Sequence, residues 1–291
     1  MLSGADELDL QSSPPTPSRT PRKLSSATAA REGFGDLVEI ISPERSARDI
    51  IIGKESRFTL LGLANEVRHG DDIRRHGLRV RSKVLFCGPP GCGKSLCAEV
   101  VAAELKMPLV VARLDALIAS HLGETATNLR KIFDAARTRP MVLFFDEFDA
   151  LARARNDTTE HSEIRRVVNS LLMMIDRFDG RSILIAATNL EETIDRAILR
   201  RFDEVILFNK PSVAQIRRLL YMKTRNFPAD FDIAQYASDF TGMSYAQVER
   251  ACLNAIRSAI LLKRNAIPEH CFKSALDHEI SRAEVEREIL D

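Results

Sequence analysis

The sequence predicts an α/β fold: a parallel β-sheet flanked by helices, followed by a small all-helical domain. Five apolar runs, at 84–87, 108–114, 141–145, 181–189 and 204–208, are separated by helix-periodic stretches, the pattern of strands joined by crossover helices. Within the third, VLFF is continuously apolar and ends on adjacent acids, as expected of a central strand covered on both faces. Past Pro211 only helical patterns recur, over 213–223, 247–263 and 268–286.

Taken in order, residues 1–34 are rich in Ser, Pro, Thr and Ala, with SSPPTPSRTPRK at 12–23. They hold too little periodic apolar content to offset the entropy of ordering. This stretch reads as a disordered tail, either a plain leader or a docking segment. Short helices are expected over 44–78, preceding the first of the five runs. Residues 35–210 form the expected α/β domain with these preceding helices, and 211–291 the helical one.

Composition narrows the function. Lys and Arg number 42 against 41 Asp and Glu in 291 residues, a net charge of +1, which recommends neither nucleic acid nor an anionic membrane as partner. No run reaches the roughly 18 apolar residues of a membrane span, and the N-terminus, MLSGADELDL, puts acids where a signal peptide would be basic. The expectation is a cytoplasmic protein without a membrane partner. Five cysteines without CxxC spacing fit neither a zinc site nor a disulfide framework, and no Trp with three Tyr leaves few platforms for stacking bases.

The sharpest signal is Gly88-Pro89-Pro90-Gly91-Cys92-Gly93-Lys94-Ser95, matching the phosphate-loop pattern GxxxxGK[ST] between a predicted strand and a predicted helix. Its glycines let backbone amides turn toward phosphate oxygens at a helix N-terminus. Lys94 is expected to reach the β and γ phosphates and Ser95 to give its hydroxyl oxygen to magnesium. Cys92 places a thiol in the loop near a helix start, a setting for redox control or a small side chain that merely fits. Asp146 and Glu147 end a strand: the first can hold magnesium through water, the second can orient or deprotonate an attacking water. Asp149 suits a cap or ion pair. Asn189, after SILIAAT, can hold a phosphate oxygen or that water without competing as a base. Arg200 and Arg201 could stabilise charge on a phosphoryl group bound to a neighbouring chain, or form local ion pairs.

In this order, GPPGCGKS, VLFFDEFDAL, IAATN and IDRAILRRFDE resemble an AAA ATPase over roughly residues 40–290. The resemblance implies an ATP-binding α/β core of the P-loop NTPase kind, a helical lid, and ATP with Mg at the interfaces of a ring that is usually hexameric. It implies phosphate-loop roles for Lys94 and Ser95, with Pro90, Gly91, Cys92, Gly93 and Leu96 around them, and metal and catalytic roles for Asp146 and Glu147. It makes Asn189 the first sensor and Arg200 and Arg201 arginine fingers acting in trans. HGLRVRSKVLFCGPPG resembles the family's preceding segment and suggests that Gly77 and Leu78 help enclose adenine. TGMSYAQVERACLNAIRSAI resembles the lid segment facing the nucleotide, with Ala246 where many superfamily members carry a second-sensor arginine; Arg250, one turn on, is not its substitute. His121-Leu122-Gly123 stands where polypeptide translocases have an aromatic, an apolar residue and glycine, so His121 departs from that preference. TTEHSEIRR at 158–166 suits either a second mobile pore loop or a solvated helix start.

The resemblance thus implies an Mg-dependent, homo-oligomeric ATPase that remodels or translocates a protein. The competing reading is a nucleotide-gated scaffold or regulator of a separately encoded effector such as a protease or toxin. A nucleic-acid motor is disfavoured by the near-neutral charge.

Overall fold

The computed structural model describes residues 37–113, 122–148, 162–189 and 196–290. Its elements run β1 (Val38–Ile41), α1 (Lys54–Arg68), α2 (Gly70–Arg75), β2 (Lys83–Cys87), α3 (Lys94–Leu105), β3 (Leu109–Ala112), α4 (Leu122–Thr138), β4 (Val142–Phe145), α5 (Ser162–Asp176), β5 (Ile183–Thr188), α6 (Arg196–Leu199), β6 (Glu204–Leu207), α7 (Val213–Thr224), a 3-10 turn (Ile233–Ser238), α8 (Tyr245–Leu261) and α9 (Glu269–Leu290).

The sheet order is β1-β3-β4-β5-β2-β6. The five expected strands are parallel, with β2 between β5 and β6 and β4 between β3 and β5. One strand was not expected: β1 pairs antiparallel with β3, Val38 opposite Ala112. VEII is only four residues long and contains Glu39, too short a run for alternation to stand out; its pairing with β3 makes it a strand.

Alternation along the strands divides the core. Leu85, Leu143, Phe145, Leu184 and Ala186 face Leu129, Ile132 and Phe133 of α4 and Leu171 and Ile175 of α5. Val84, Phe86, Val142, Phe144 and Ile185 face the other way, onto Cys97, Ala98 and Ala102 of α3 and Leu63 of α1. The period of two thus feeds both faces of the sheet.

A third cluster belongs to the helical region, where Ile216, Leu220, Phe240, Val248, Ala255 and Phe272 are fully enclosed. Capping boxes start two of its helices. Ser212 and Gln215 exchange side-chain and backbone hydrogen bonds at α7, and Ser244 and Gln247 do the same at α8. The second box starts α8 at Tyr245, two residues earlier than its periodicity indicates.

Candidate nucleotide site

The phosphate loop leaves the C-terminal end of β2 and enters α3 at Lys94. Gly88 has φ +144°, and a Cβ there would lie 2.1 Å from the Phe208 carbonyl oxygen; only glycine lets β6 run so close, its Phe208 N–H donating to the Cys87 carbonyl at 2.7 Å. Gly91 has φ +72°, and a Cβ would stand 2.9 Å from Ser244 Oγ and 3.1 Å from Ala246 Cβ. Ala246 N–H donates to the Gly91 carbonyl at 3.1 Å. The loop and the first turn of α8 therefore meet backbone to backbone.

Lys94 is buried, and its ammonium donates to the Gly88 carbonyl at 2.6 Å, the Pro89 carbonyl at 3.0 Å and Asn189 Oδ1 at 2.8 Å. β5 ends one residue before Asn189, which sets its amide against the loop. Ser95 Oγ donates to Asp146 Oδ2 at 2.8 Å, and Asp146 Oδ1 accepts the Glu147 N–H at 2.9 Å. Glu147 has φ +51°, a left-handed conformation costly for a residue with a Cβ. It is held from the next position, where Phe148 N–H donates to the Ala187 carbonyl at 2.8 Å. Glu147 itself is exposed.

These residues border one cleft of about 360 Å³. Pro90, Gly91, Gly93, Lys94, Ser95 and Leu96 line it from the loop and α3, Asp146, Glu147 and Asn189 from the strand ends, and Ala246 from α8. Beside it lies a second cleft of about 570 Å³, bordered by Ile51, Ile52 and Gly53, by Cys92, and by Phe208 and Asn209 after β6. The first has the polar and charged lining that phosphates need. The second joins apolar walls from Ile51, Ile52 and Phe208 to polar and charged groups, Lys54, Glu55, Asn209 and Lys210 among them, a mixed surface able to hold a base. Cys92 is buried in the loop, and burial pushes the Cys97 thiol in the first turn of α3 up to about 12.

Two expected residues fall elsewhere. Gly77 and Leu78 line neither cleft, and Leu78 is 64% exposed. They precede the N-terminal end of β2, whereas the loop follows its C-terminal end. A five-residue strand separates the two ends by about 16 Å. Ile51, Ile52 and Gly53 border the second cleft instead. Their signal in the sequence is the apolar run Ile50-Ile51-Ile52 closed by a glycine just before a helix. Tyr245, which borders both clefts, carries no comparable signal.

Arg200 and Arg201 also lie outside both clefts. Arg200 is exposed; Arg201 donates to Asp176 Oδ2 at 3.2 Å and to the Ala197 carbonyl. Next to them, Phe202 meets Phe148 edge to face with ring centroids 6.0 Å apart. The arginine turn and the turn carrying Glu147 thus share one packing contact. Arg250 is tied to the buried Glu279 at 3.0 Å. Asp149, His121 and residues 158–161 lie outside the described residues, as does the tail, and the side chains of Leu122 and Gly123 are not described.

Among the described residues no helix is long and apolar enough to cross a membrane. The family model for ATPases associated with various cellular activities matches residues 84–210. An uncharacterized AAA family ATPase, y4kL, of Sinorhizobium fredii is 50% identical over 273 residues, covering 94% of this chain and 83% of that protein. The ATP-dependent zinc metalloprotease FtsH 3 of Sphaerobacter thermophilus is 30% identical over 261 residues, and the chain spans 53% of its length. Protein mac-1 of Caenorhabditis elegans is 33% identical over 250 residues, 80% of this chain and 30% of that protein. With its phosphate loop, strand-end acids and helical lid in the family's order, and with a half-identical relative covered along most of its length, the chain belongs to the AAA family of ATPases.

Proposed function

We propose that ATP lies across the two clefts, phosphates against Lys94 and base between Ile51 and Phe208, and is hydrolysed by water activated at Glu147. The observation that carries this reading is the convergence of Lys94, Ser95, Asp146, Glu147 and Asn189 on one cleft at the C-terminal ends of three adjacent strands, where parallel sheets place ligand sites. Lys94 already holds three oxygens, two loop carbonyls and Asn189 Oδ1, and phosphate oxygens would take the place of some of them. Ser95 and Asp146 present a hydroxyl and a carboxylate 2.8 Å apart, a hard-oxygen pair of the kind magnesium takes beside substrate phosphates. Bound there, magnesium would neutralise phosphate charge. Asn189 would orient the γ-phosphate or the attacking water, and exposed Glu147 would accept the water's proton.

Arg200 and Arg201 supply charge to a neighbouring protomer's phosphates, Arg201 after exchanging its bond to Asp176. Their position outside both clefts of their own chain supports action in trans. The assembly is a ring of six, in which hydrolysis and lid movement remodel or translocate a protein partner.

Glu147→Gln tests the reading. It should keep ATP affinity within about twofold and lower turnover by about 100-fold or more, and mass photometry with ATP and magnesium should show a six-protomer species. Hydrolysis at the parental rate would overturn the role of Glu147. A monomer at every concentration would overturn the ring.

A further inference from the structure

We propose that a pocket at the N-terminal end of the sheet binds an apolar, acidic stretch of chain, and that its occupant is the protein's own segment Asp6-Glu7-Leu8-Asp9-Leu10. The pocket measures about 580 Å³, within the range of roughly 300–1,000 Å³ usual for ligand sites. Pro43 borders it after β1, Met107 and Val110 at the start of β3, and Met141 just before β4. The phosphate cleft opens at the C-terminal ends of β2, β4 and β5, so this pocket lies at the opposite end of the sheet and does not depend on how that cleft is read. Its rim carries Lys106 and Arg139, and no acid borders it. Neither side chain has a carboxylate partner among the described residues.

The backbone sets both cations at the rim. Lys106 follows α3 with φ +56°, its N–H donating to the Ala103 carbonyl at 3.0 Å while the Met107 N–H donates to the Ala102 carbonyl at 2.9 Å. Arg139 follows α4, its N–H held by the Ala135 carbonyl at 2.9 Å. The C-terminal ends of α3 and α4 favour cations, but a helix end offsets only a fraction of a charge, which leaves both side chains able to pair with carboxylates. Met107 and Met141 supply walls that adapt to the shape of an apolar guest.

The complementary chemistry stands in the stretch that precedes the described residues. Asp6, Glu7 and Asp9 are interleaved there with Leu8 and Leu10, whereas residues 11–31 hold no acid and the cations Arg19, Arg22, Lys23 and Arg31. In an extended chain Leu8 and Leu10 fall on one side, about 7 Å apart, and Glu7 and Asp9 on the other. The leucines can then enter the apolar walls while the carboxylates stay at the exposed rim with Lys106 and Arg139. The tether is long enough. Residues 11–36 have a root-mean-square span of roughly 25–30 Å, and the chain enters the fold at Leu37, about 16 Å along β1 from Ser42 at the pocket. A segment tethered at this range acts at an effective concentration on the order of millimolar.

Photo-crosslinking of the full chain tests the proposal. p-Benzoylphenylalanine is placed at Leu8, isotopically heavy and ordinary chains are mixed and irradiated, and the crosslinks are mapped by mass spectrometry. Crosslinks onto Met107 and Met141 within single chains are expected. Lys106→Glu with Arg139→Glu should lower their yield about fivefold or more. Glu7→Lys with Asp9→Lys should do the same, and because it changes no described residue its effect does not come from damage to the fold. All four changes together should restore the yield to within about twofold of the parent. Crosslinks scattered over the surface, or fixed at another place, overturn the site. A yield that neither charge reversal alters overturns the pairing with Lys106 and Arg139. Crosslinks that join heavy to ordinary chains overturn the occupant and give the pocket to a second copy.

Discussion

Replacing Gly91 by alanine tests the seam between the phosphate loop and the lid. The φ of +72° at this position costs an alanine about 1–2 kcal/mol. The added methyl would lie 2.9 Å from Ser244 Oγ, 3.1 Å from Ala246 Cβ and 3.2 Å from Ser244 Cβ. Three atoms on the same turn of α8 must retreat together, so trimming Ser244 or Ala246 alone does not make room. Their retreat stretches the 3.1 Å bond from Ala246 N–H to the Gly91 carbonyl, a loss of about 1 kcal/mol. The lower entropy of an unfolded alanine returns about 0.4–1 kcal/mol. The net destabilisation is about 2 kcal/mol, a fall in melting temperature of roughly 4–8 °C. Because the lid turn also carries Tyr245, ATP affinity should fall about tenfold in the same variant. Differential scanning fluorimetry and calorimetric titration read the two effects. A variant that melts with the parent and binds ATP as tightly would show that the loop and lid are not in the close contact described.

The arginine turn gives a second expectation. Arg200→Ala removes an exposed guanidinium outside its own cleft and should leave ATP binding by isolated protomers within about twofold while cutting turnover of the assembly about 100-fold or more; an equal effect in a verified monomer would refute a role in trans. A third concerns acid. Arg81 donates to Glu66 through Nε at 2.8 Å and through its backbone N–H at 3.1 Å, and also pairs with Glu204. The Arg81 hydrogen bond is the main reason the Glu66 carboxyl is held below its ordinary 4.5. A depressed folded-state pKa gives stabilisation that is complete above the unfolded value and lost as pH falls through the folded one. Melting between about pH 6 and pH 3 should therefore fall less steeply in Glu66→Gln than in the parent, and identical slopes would remove Glu66 as a contributor.

The phosphate loop was legible because its chemistry is local: glycines, a lysine and a hydroxyl must follow one another where a strand becomes a helix. The acids and Asn189 were legible for a related reason. Each ends an apolar run, and in a parallel sheet such ends gather on one side. The five parallel strands followed from the same runs, which are long and apolar enough to mark themselves.

What the sequence left open depends on partners distant along the chain. VEII becomes a strand only because β3 presents a free edge to it. Gly77 and Leu78 are near the loop in sequence but lie past the opposite end of β2, while Ile51–Gly53, much farther from the loop in sequence, reach the base-side cleft. Tyr245 could not be picked out as a cleft residue because one helix start meets both clefts only after the lid folds back. Arg201 likewise shows its bond to Asp176 only once α5 and α6 are packed. Local sequence determined the chemistry of the loop and the strands that carry it, since covalent neighbours and backbone period suffice for both. Tertiary structure decided which surfaces enclose the base and where the lid closes, because those contacts join residues that only folding brings within a few ångströms.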